Sequence, residues 1–242
     1  MFKKIIFLKI SFTNFKRIDL NFLIKKGGLF LFPAGPALAS FKLNSLYHKS
    51  LINADHVFFD SGYFVLLLRF LKNIKVYKFS GYKFIKILFK YFKNNNVKNI
   101  FSVDPSKVLS SSYRNYLRNY LDIKSDHYIA PIYNPHYIVD TALLQKIETL
   151  KPRFIIINLG GNIQEPLGYY LKKNLKYNPS IFCTGAAISF LTKDQASINS
   201  FYDKIYVGWL IRILFNPKIF LPRYLMSFNL FFLVLKNQVF IK

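Results

Sequence analysis

The apolar run at 154–159, Phe-Ile-Ile-Ile-Asn-Leu, stops at Gly160-Gly161 and is flanked by longer amphipathic stretches, at 140–150 and from about 164 to 175. A strand this uniformly apolar is covered on both faces, as strands of parallel sheets are. A parallel neighbour needs a crossover, normally a helix, and the flanking stretches have the length and periodicity to supply it. This unit restricts the chain to folds in which helices cover a mainly parallel sheet.

The same alternation recurs along the chain. Gly27-Gly28 precedes a strand at 29–32, Pro33 to Pro36 breaks the chain, and 38–46 reads as helix. A strand at 56–59 ends at Asp60, Ser61-Gly62 turns, and 63–70 is helical. Residues 76–79 form a strand or an extended lead-in to Ser80-Gly81 and a helix through about Phe92, which Asn94-Asn95-Asn96 ends. A strand at 98–103, a helix at 106–119, a short strand with a two-proline loop at 126–135, and a strand at 180–183 complete the series. The expected class is α/β, a mainly parallel sheet with flanking helices. No internal repeat or Gly/Ser linker divides the chain. Its composition changes near residue 200, which predicts an α/β domain at 1–200 and an appendage at 201–242.

Charge limits the partners. Lys and Arg number 35 against 11 Asp and Glu, a formal net charge of +24. Such a body attracts nucleic acid, anionic headgroups or a phosphorylated substrate. Abundant Lys, Asn, Ile, Phe and Tyr are also what low-GC coding produces, but the scarcity of acids does not follow from that bias. Glutamate occurs only as Glu148 and Glu165. No nucleic-acid-binding motif accompanies the charge, so no nucleic-acid partner is expected.

Other classes are disfavoured by what is missing. Cys183 is a lone cysteine, so neither an intrachain disulfide nor a cysteine metal cluster is available. The four histidines show no H-x-x-x-H spacing, and Ser61 lacks the G-x-S-x-G elbow, which argues against zinc and serine hydrolases. No metal or cofactor is expected. The basic, apolar start is interrupted by Lys9, Lys16 and Arg17 with no small-residue cleavage site, so it reads as mature structure. No run reaches the ~18 apolar residues of an ordinary membrane span, and a cytoplasmic location is the expectation.

Three strand ends carry candidate chemistry. Asp60 stands where open α/β sheets handle ligands, and can take a proton from an attacking hydroxyl or merely cap the following helix. Gly160, Gly161 and Asn162 lead to Gln164 and Glu165 at a helix start, where backbone N–H groups can meet phosphate and a glutamine amide suits a sugar or base edge. The alternative is a tight turn, with Glu165 complementing the helix N-terminus. Thr184, Gly185 and Ala186 repeat this logic after the next strand, or pack tightly against the sheet.

From residue 201 the chain carries Lys204, Arg212, Lys218, Arg223, Lys236 and Lys242 against a single acid, Asp203, with interleaved aromatics including Trp209 and Tyr224. Basic, aromatic-edged amphipathic helices suit an anionic membrane surface. The uncharged stretch 224–235 would span about 18 Å as a helix, too short to cross a bilayer but long enough to lie in its surface. Docking on the core or a homo-oligomer face is the alternative.

Together these segments resemble the WecG/TagA/CpsF glycosyltransferases over about 29–224. Asn-Leu-Gly-Gly-Asn-Ile-Gln-Glu from Asn158 is similar to the family's strand followed by G-x-P-K-Q-E. Cys183 to Lys193 resembles G-V-G-A-A-F-D-F-x-A-G, Gly208 to Arg212 resembles E-W-L-x-R, and the segment through Arg223-Tyr224 resembles the closing R-Y. Ala54 to Gly62 is similar to A-D-x-V-x-x-D-G.

The resemblance implies a Rossmann-like fold with a basic amphipathic C-terminal appendage attached to the cytoplasmic membrane face. It implies inverting, metal-independent transfer of an N-acetylhexosamine-type sugar from a UDP-sugar donor to an undecaprenyl-diphosphate-linked sugar. Asp60 matches the proposed base, Gln164 the glutamine near the substrate, and Arg212 and Arg223 basic residues that meet diphosphate. The chain departs from the pattern at Ser61, at Pro33-Ala34-Gly35 in place of T-x-N, and at Asn162, Ile163, Ser189 and Gly208. These departures fit either a different donor or acceptor, or a catalytically degenerate relative acting as a membrane-associated scaffold.

Overall fold

A computed structural model describes residues 3–14, 20–40, 42–192, 214 and 217–242; the side chains of 219, 220 and 223 are outside that description. The chain opens with an antiparallel hairpin, β1 (Lys3–Phe7) and β2 (Ile10–Asn14), then α1 (Leu20–Lys26) and β3 (Gly28–Leu31). Next come α2 (Gly35–Ser40), α3 (Leu46–Ile52), β4 (His56–Val57), α4 (Gly62–Lys72) and α5 (Gly81–Asn94). The second half runs β5 (Asn99–Asp104), α6 (Lys107–Leu121), β6 (Lys124–Ile129), α7 (Thr141–Leu150), β7 (Phe154–Ile157), α8 (Gln164–Asn174) and β8 (Ser180–Cys183). A 3-10 helix, Gly185–Phe190, follows, and α9 (Pro217–Met226), α10 (Asn229–Lys236) and β9 (Val239–Ile241) complete the described chain.

The strands form one sheet in the order β6-β5-β7-β8-β3-β4-β2-β1-β9. Pairing is parallel from β6 to β2 and antiparallel only at β2–β1 and β1–β9. This is the expected mainly parallel α/β sheet with flanking helices. Strand alternation divides the core in two. Leu29, Leu31, Ile155, Ile157 and Ile181 face one side, where Leu143, Leu167 and Leu230 pack. Phe30, Phe154, Ile156 and Phe182 face the other, where Phe84, Leu88 and Leu117 pack.

Side-chain caps start the helices where the sequence turns. Ser45, Ser61, Ser80, Ser106 and Asp140 each accept a hydrogen bond from the backbone N–H three residues on, a contact worth about 1 kcal/mol each.

Several elements differ from expectation. The stretch read as one helix at 38–46 is two, because α2 starts at Gly35 and a turn with Asn44 at φ 64° precedes the Ser45 cap of α3. Residues 76–79 form no strand; Phe79 N–H donates to the Phe59 carbonyl at 2.9 Å. The N-terminal hairpin turns on Leu8 and Lys9 at φ 50° and 65°, without the Asn-Gly that usually marks such a turn.

Of the segment that begins at 201, α10 and β9 join the main body. Leu230 and Val234 are fully buried in the core, and β9 pairs with β1 through Ile5–Ile241, Ile6–Phe240 and Phe7–Val239. Among the described residues no helix is long and apolar enough to cross a membrane.

Candidate active site

All parallel strands end on the same side, and a cavity of about 550 Å³ opens there. Its walls come from the segments after β3, β4, β7 and β8, from the start of α5, and from α9. Asp60, Gly160, Gly161, Asn162, Gln164, Thr184, Gly185 and Ala186 all line it. Eight positions dispersed over more than a hundred residues of sequence thus meet at one opening.

Asp60 is not the cap of α4. Ser61 takes that role, its hydroxyl accepting Phe64 N–H at 3.2 Å. Asp60 Oδ1 instead accepts Gly81 N–H at 2.9 Å, the first amide of α5. That helix start is pressed close to the strand ends: a Cβ on Gly81 would stand 3.1 Å from the Thr184 carbonyl oxygen.

Gln164 and Glu165 divide their work. Gln164 Oε1 accepts Gly185 N–H at 2.7 Å, and its Nε2 donates to Glu165 Oε1 at 3.2 Å. Glu165 Oε2 accepts Asn162 N–H at 3.0 Å, fixing a residue at φ 70°. Glu165 was expected to bind substrate, but it is fully buried and does not line the cavity. The helical turn points its side chain under the loop, where it braces Asn162 and orients the Gln164 amide. Burial pushes its carboxyl up to about 7 against hydrogen bonds that favour the charge, and the charge of Asp60 adds to the rise.

The small residues serve different ends. Gly160 has open space where a Cβ would go, and a Cβ on Gly161 would make only a 3.4 Å contact with Ala37. Gly185 sits at φ 61°, a conformation that favours glycine. Thr184 is buried, and its hydroxyl has no hydrogen-bond partner among the described residues. Behind the wall, Cys183 donates its thiol to the Gln164 backbone carbonyl at 3.2 Å, and burial holds the thiol well above its usual range.

Arg212 lies outside the described residues. Arg223 falls within α9, with its side chain outside the description. Lys78 lines the cavity and was missed, because its segment reads only as a lead-in to α5; it is the one Lys or Arg among the described lining residues. Tyr224, Leu225 and Phe228 form the wall on the α9 side, and Phe228 packs against Tyr63 at 6.1 Å between ring centroids. Ser189, where the resembled pattern has an aspartate, is buried and hydrogen-bonded to the Tyr113 hydroxyl.

A second polar cluster lies outside the cavity along β5 and β6. Asp104 accepts Ser102 and Asn158 and meets His127, whose other ring nitrogen contacts Ser125 at 2.8 Å. Burial opposes the Asp104 charge, yet these hydrogen bonds hold its carboxyl below the usual range. Among the described residues no group of three or more His, Cys, Asp or Glu is placed to hold a metal ion.

Against family models, residues 7–242 match the family described as Glycosyl transferase WecG/TagA/CpsF family. Comparison with curated proteins finds no match.

Proposed function

We propose that this chain, which belongs to the WecG/TagA/CpsF family of glycosyl transferases, moves an N-acetylhexosamine-type sugar from a UDP donor to a polyprenyl-diphosphate-linked sugar. Glycosyl transfer is the family's activity; the donor, the lipid-borne acceptor and a place at a membrane surface are our reading of this member. The reading rests on one observation: Asp60, relieved of capping by Ser61, stands at the cavity wall against the positive end of α5.

In this mechanism the acceptor hydroxyl oxygen attacks the anomeric carbon from the face opposite UDP. Its proton passes to Asp60, the C–O bond to the nucleotide breaks, and the diphosphate leaves with the bonding electrons, inverting the centre. Lys78 supplies a cation at the cavity for the leaving diphosphate. Gln164, held by Gly185 and Glu165, presents a fixed amide to the sugar. The apolar wall of Tyr224, Leu225 and Phe228 suits the lipid end of the acceptor.

The test is UDP release by the purified full chain with a panel of UDP-sugars and short-chain polyprenyl-diphosphate sugar acceptors. Acceptor-dependent release that disappears in Asp60→Asn supports the mechanism. Donor binding without release from any pair rejects it in favour of a binding role.

A further inference from the structure

We propose that Asn162 is a specificity-determining residue whose side-chain amide reads an uncharged hydrogen-bonding group on the transferred sugar, and that Glu165 positions it. The inference rests on the proposed function only in taking a UDP-sugar as the donor.

The backbone of the loop after β7 decides what that loop can offer. Asn162 stands at φ 70°, and its N–H donates to Glu165 Oε2 at 3.0 Å. Proline, which the resembled pattern has at this position, could make neither this bond nor this φ. The donors that follow are engaged as well. Ile163 and Gln164 N–H both reach the Gly160 carbonyl, at 3.3 and 3.2 Å. Glu165 N–H meets its own carboxylate, Pro166 has no N–H, and Leu167 N–H donates to the Ile163 carbonyl at 3.0 Å. The sequence suggests backbone donors for phosphate at this helix start, but in the fold those donors are satisfied inside the loop.

Recognition on this wall therefore falls to side chains. Gln164 has both ends of its amide engaged, Oε1 by Gly185 and Nε2 by Glu165. Asn162 is half-buried on the cavity wall, and among the described residues no hydrogen bond engages either end of its amide. Gly160, two residues earlier, leaves open space where a side chain would otherwise stand. An amide donates and accepts at once and carries no charge, which complements a sugar hydroxyl or an acetamido group. A phosphate is better met by a cation, which Lys78 supplies from a different segment.

Glu165 gives the amide its aim. It is fully buried, and among the described residues no Lys, Arg or His pairs with it. A carboxylate buried without a cation is costly. Beyond its own N–H, its described hydrogen bonds come from Asn162 N–H and Gln164 Nε2, so this carboxylate fixes the two amides of the wall together.

The experiment measures, by calorimetry, the affinity of the full chain and of Asn162→Gly for UDP and for a panel of UDP-hexoses and UDP-N-acetylhexosamines. Glycine keeps the N–H and favours φ 70°, so the variant should melt no lower than the parent and lose only the amide. Its affinity for UDP should match the parent's, while its affinity for the UDP-sugars the parent binds falls roughly 2- to 12-fold. A loss confined to UDP-N-acetylhexosamines assigns the acetamido group, and a loss shared with UDP-hexoses assigns a hydroxyl. Glu165→Gln should repeat the pattern, with UDP held and UDP-sugars weakened; parental affinities in that variant would remove Glu165 from the positioning role. Unchanged UDP-sugar affinity in Asn162→Gly, an equal loss for UDP itself, or a parent that binds no UDP-sugar overturns the proposal. Acceptor-dependent UDP release is measured alongside. Its absence from a parent whose UDP-sugar affinity depends on Asn162 rejects the transfer reading and leaves this inference standing; release with Asn162-independent affinity does the reverse.

Discussion

Asp60 Oδ1 accepts the Gly81 amide at 2.9 Å, tying the turn after β4 to the first turn of α5 at the cavity wall. The bond orients a carboxylate that a flexible loop would leave mobile. It also gives Asp60 a structural role, which any test of catalysis has to separate from the chemical one.

Asp60→Asn keeps an oxygen to accept Gly81 N–H but cannot take a proton. UDP release should fall by roughly 100- to 10,000-fold, with the melting temperature and donor affinity preserved. Asp60→Ala should lose the rate and also about 1 kcal/mol of stability, from the lost hydrogen bond. A full-rate Asp60→Asn enzyme would remove this residue from the mechanism.

Glu165 makes stability depend on pH in an unusual direction. Its carboxyl titrates near 7 in the folded chain, against an ordinary value of 4.5. The folded state therefore holds more protons between those values, and stability contributed by the neutral form is lost as pH rises from about 4.5 through about 7. The size is on the order of 3 kcal/mol. Glu165→Gln should flatten this part of a denaturation profile; a profile identical to the parent's would show that Glu165 is not the titrating group.

Two glycines of one helix-and-turn unit should behave oppositely. A Cβ on Gly168 would stand 2.7 Å from Cys183 Sγ and 2.8 Å from Leu29 Cδ1, so Gly168→Ala should lower stability by about 1–3 kcal/mol. Gly160→Ala meets open space, and any effect should appear in donor or acceptor KM rather than in melting. Equal melting temperatures for the two variants would contradict the packing described here.

The hairpin turn carries strain that substitution can release. Leu8 and Lys9 both hold positive φ, which disfavours non-glycine residues by roughly 1–2 kcal/mol each. Leu8→Asn with Lys9→Gly should raise the denaturation midpoint; a lower midpoint would mean that the Leu8 side chain, packed against the core, contributes more than the turn costs.

The sheet was legible because its central strands are uniformly apolar and are followed by Gly or Ser turns, a pattern that water and sterics enforce. The same turns pointed to eight of the residues that line the cavity, since the carboxyl ends of parallel strands lie together. The N-terminal hairpin was not legible, because Leu-Lys carries no turn chemistry. Lys78 was hidden for a different reason: one lysine among many gives no periodic or motif signal, and only folding brings it to the opening. Glu165 was legible as important but not as buried, because neighbours in sequence at a helix start diverge sharply in direction.

Lys4 and Lys242 exchange backbone hydrogen bonds at 2.8 Å in both directions, so β9 is latched to the strand that opens the described chain. The α9–α10 arm that walls the cavity is thereby pinned at its far end, like a strap buckled to the frame it crosses. Swinging that wall outward requires bending between α9 and α10, around Ser227 and Phe228, unless the buckle at the sheet edge is undone. Leu230 and Val234, buried in the core between that buckle and α9, make a second fastening, so the wall of the opening is held at two places along the arm.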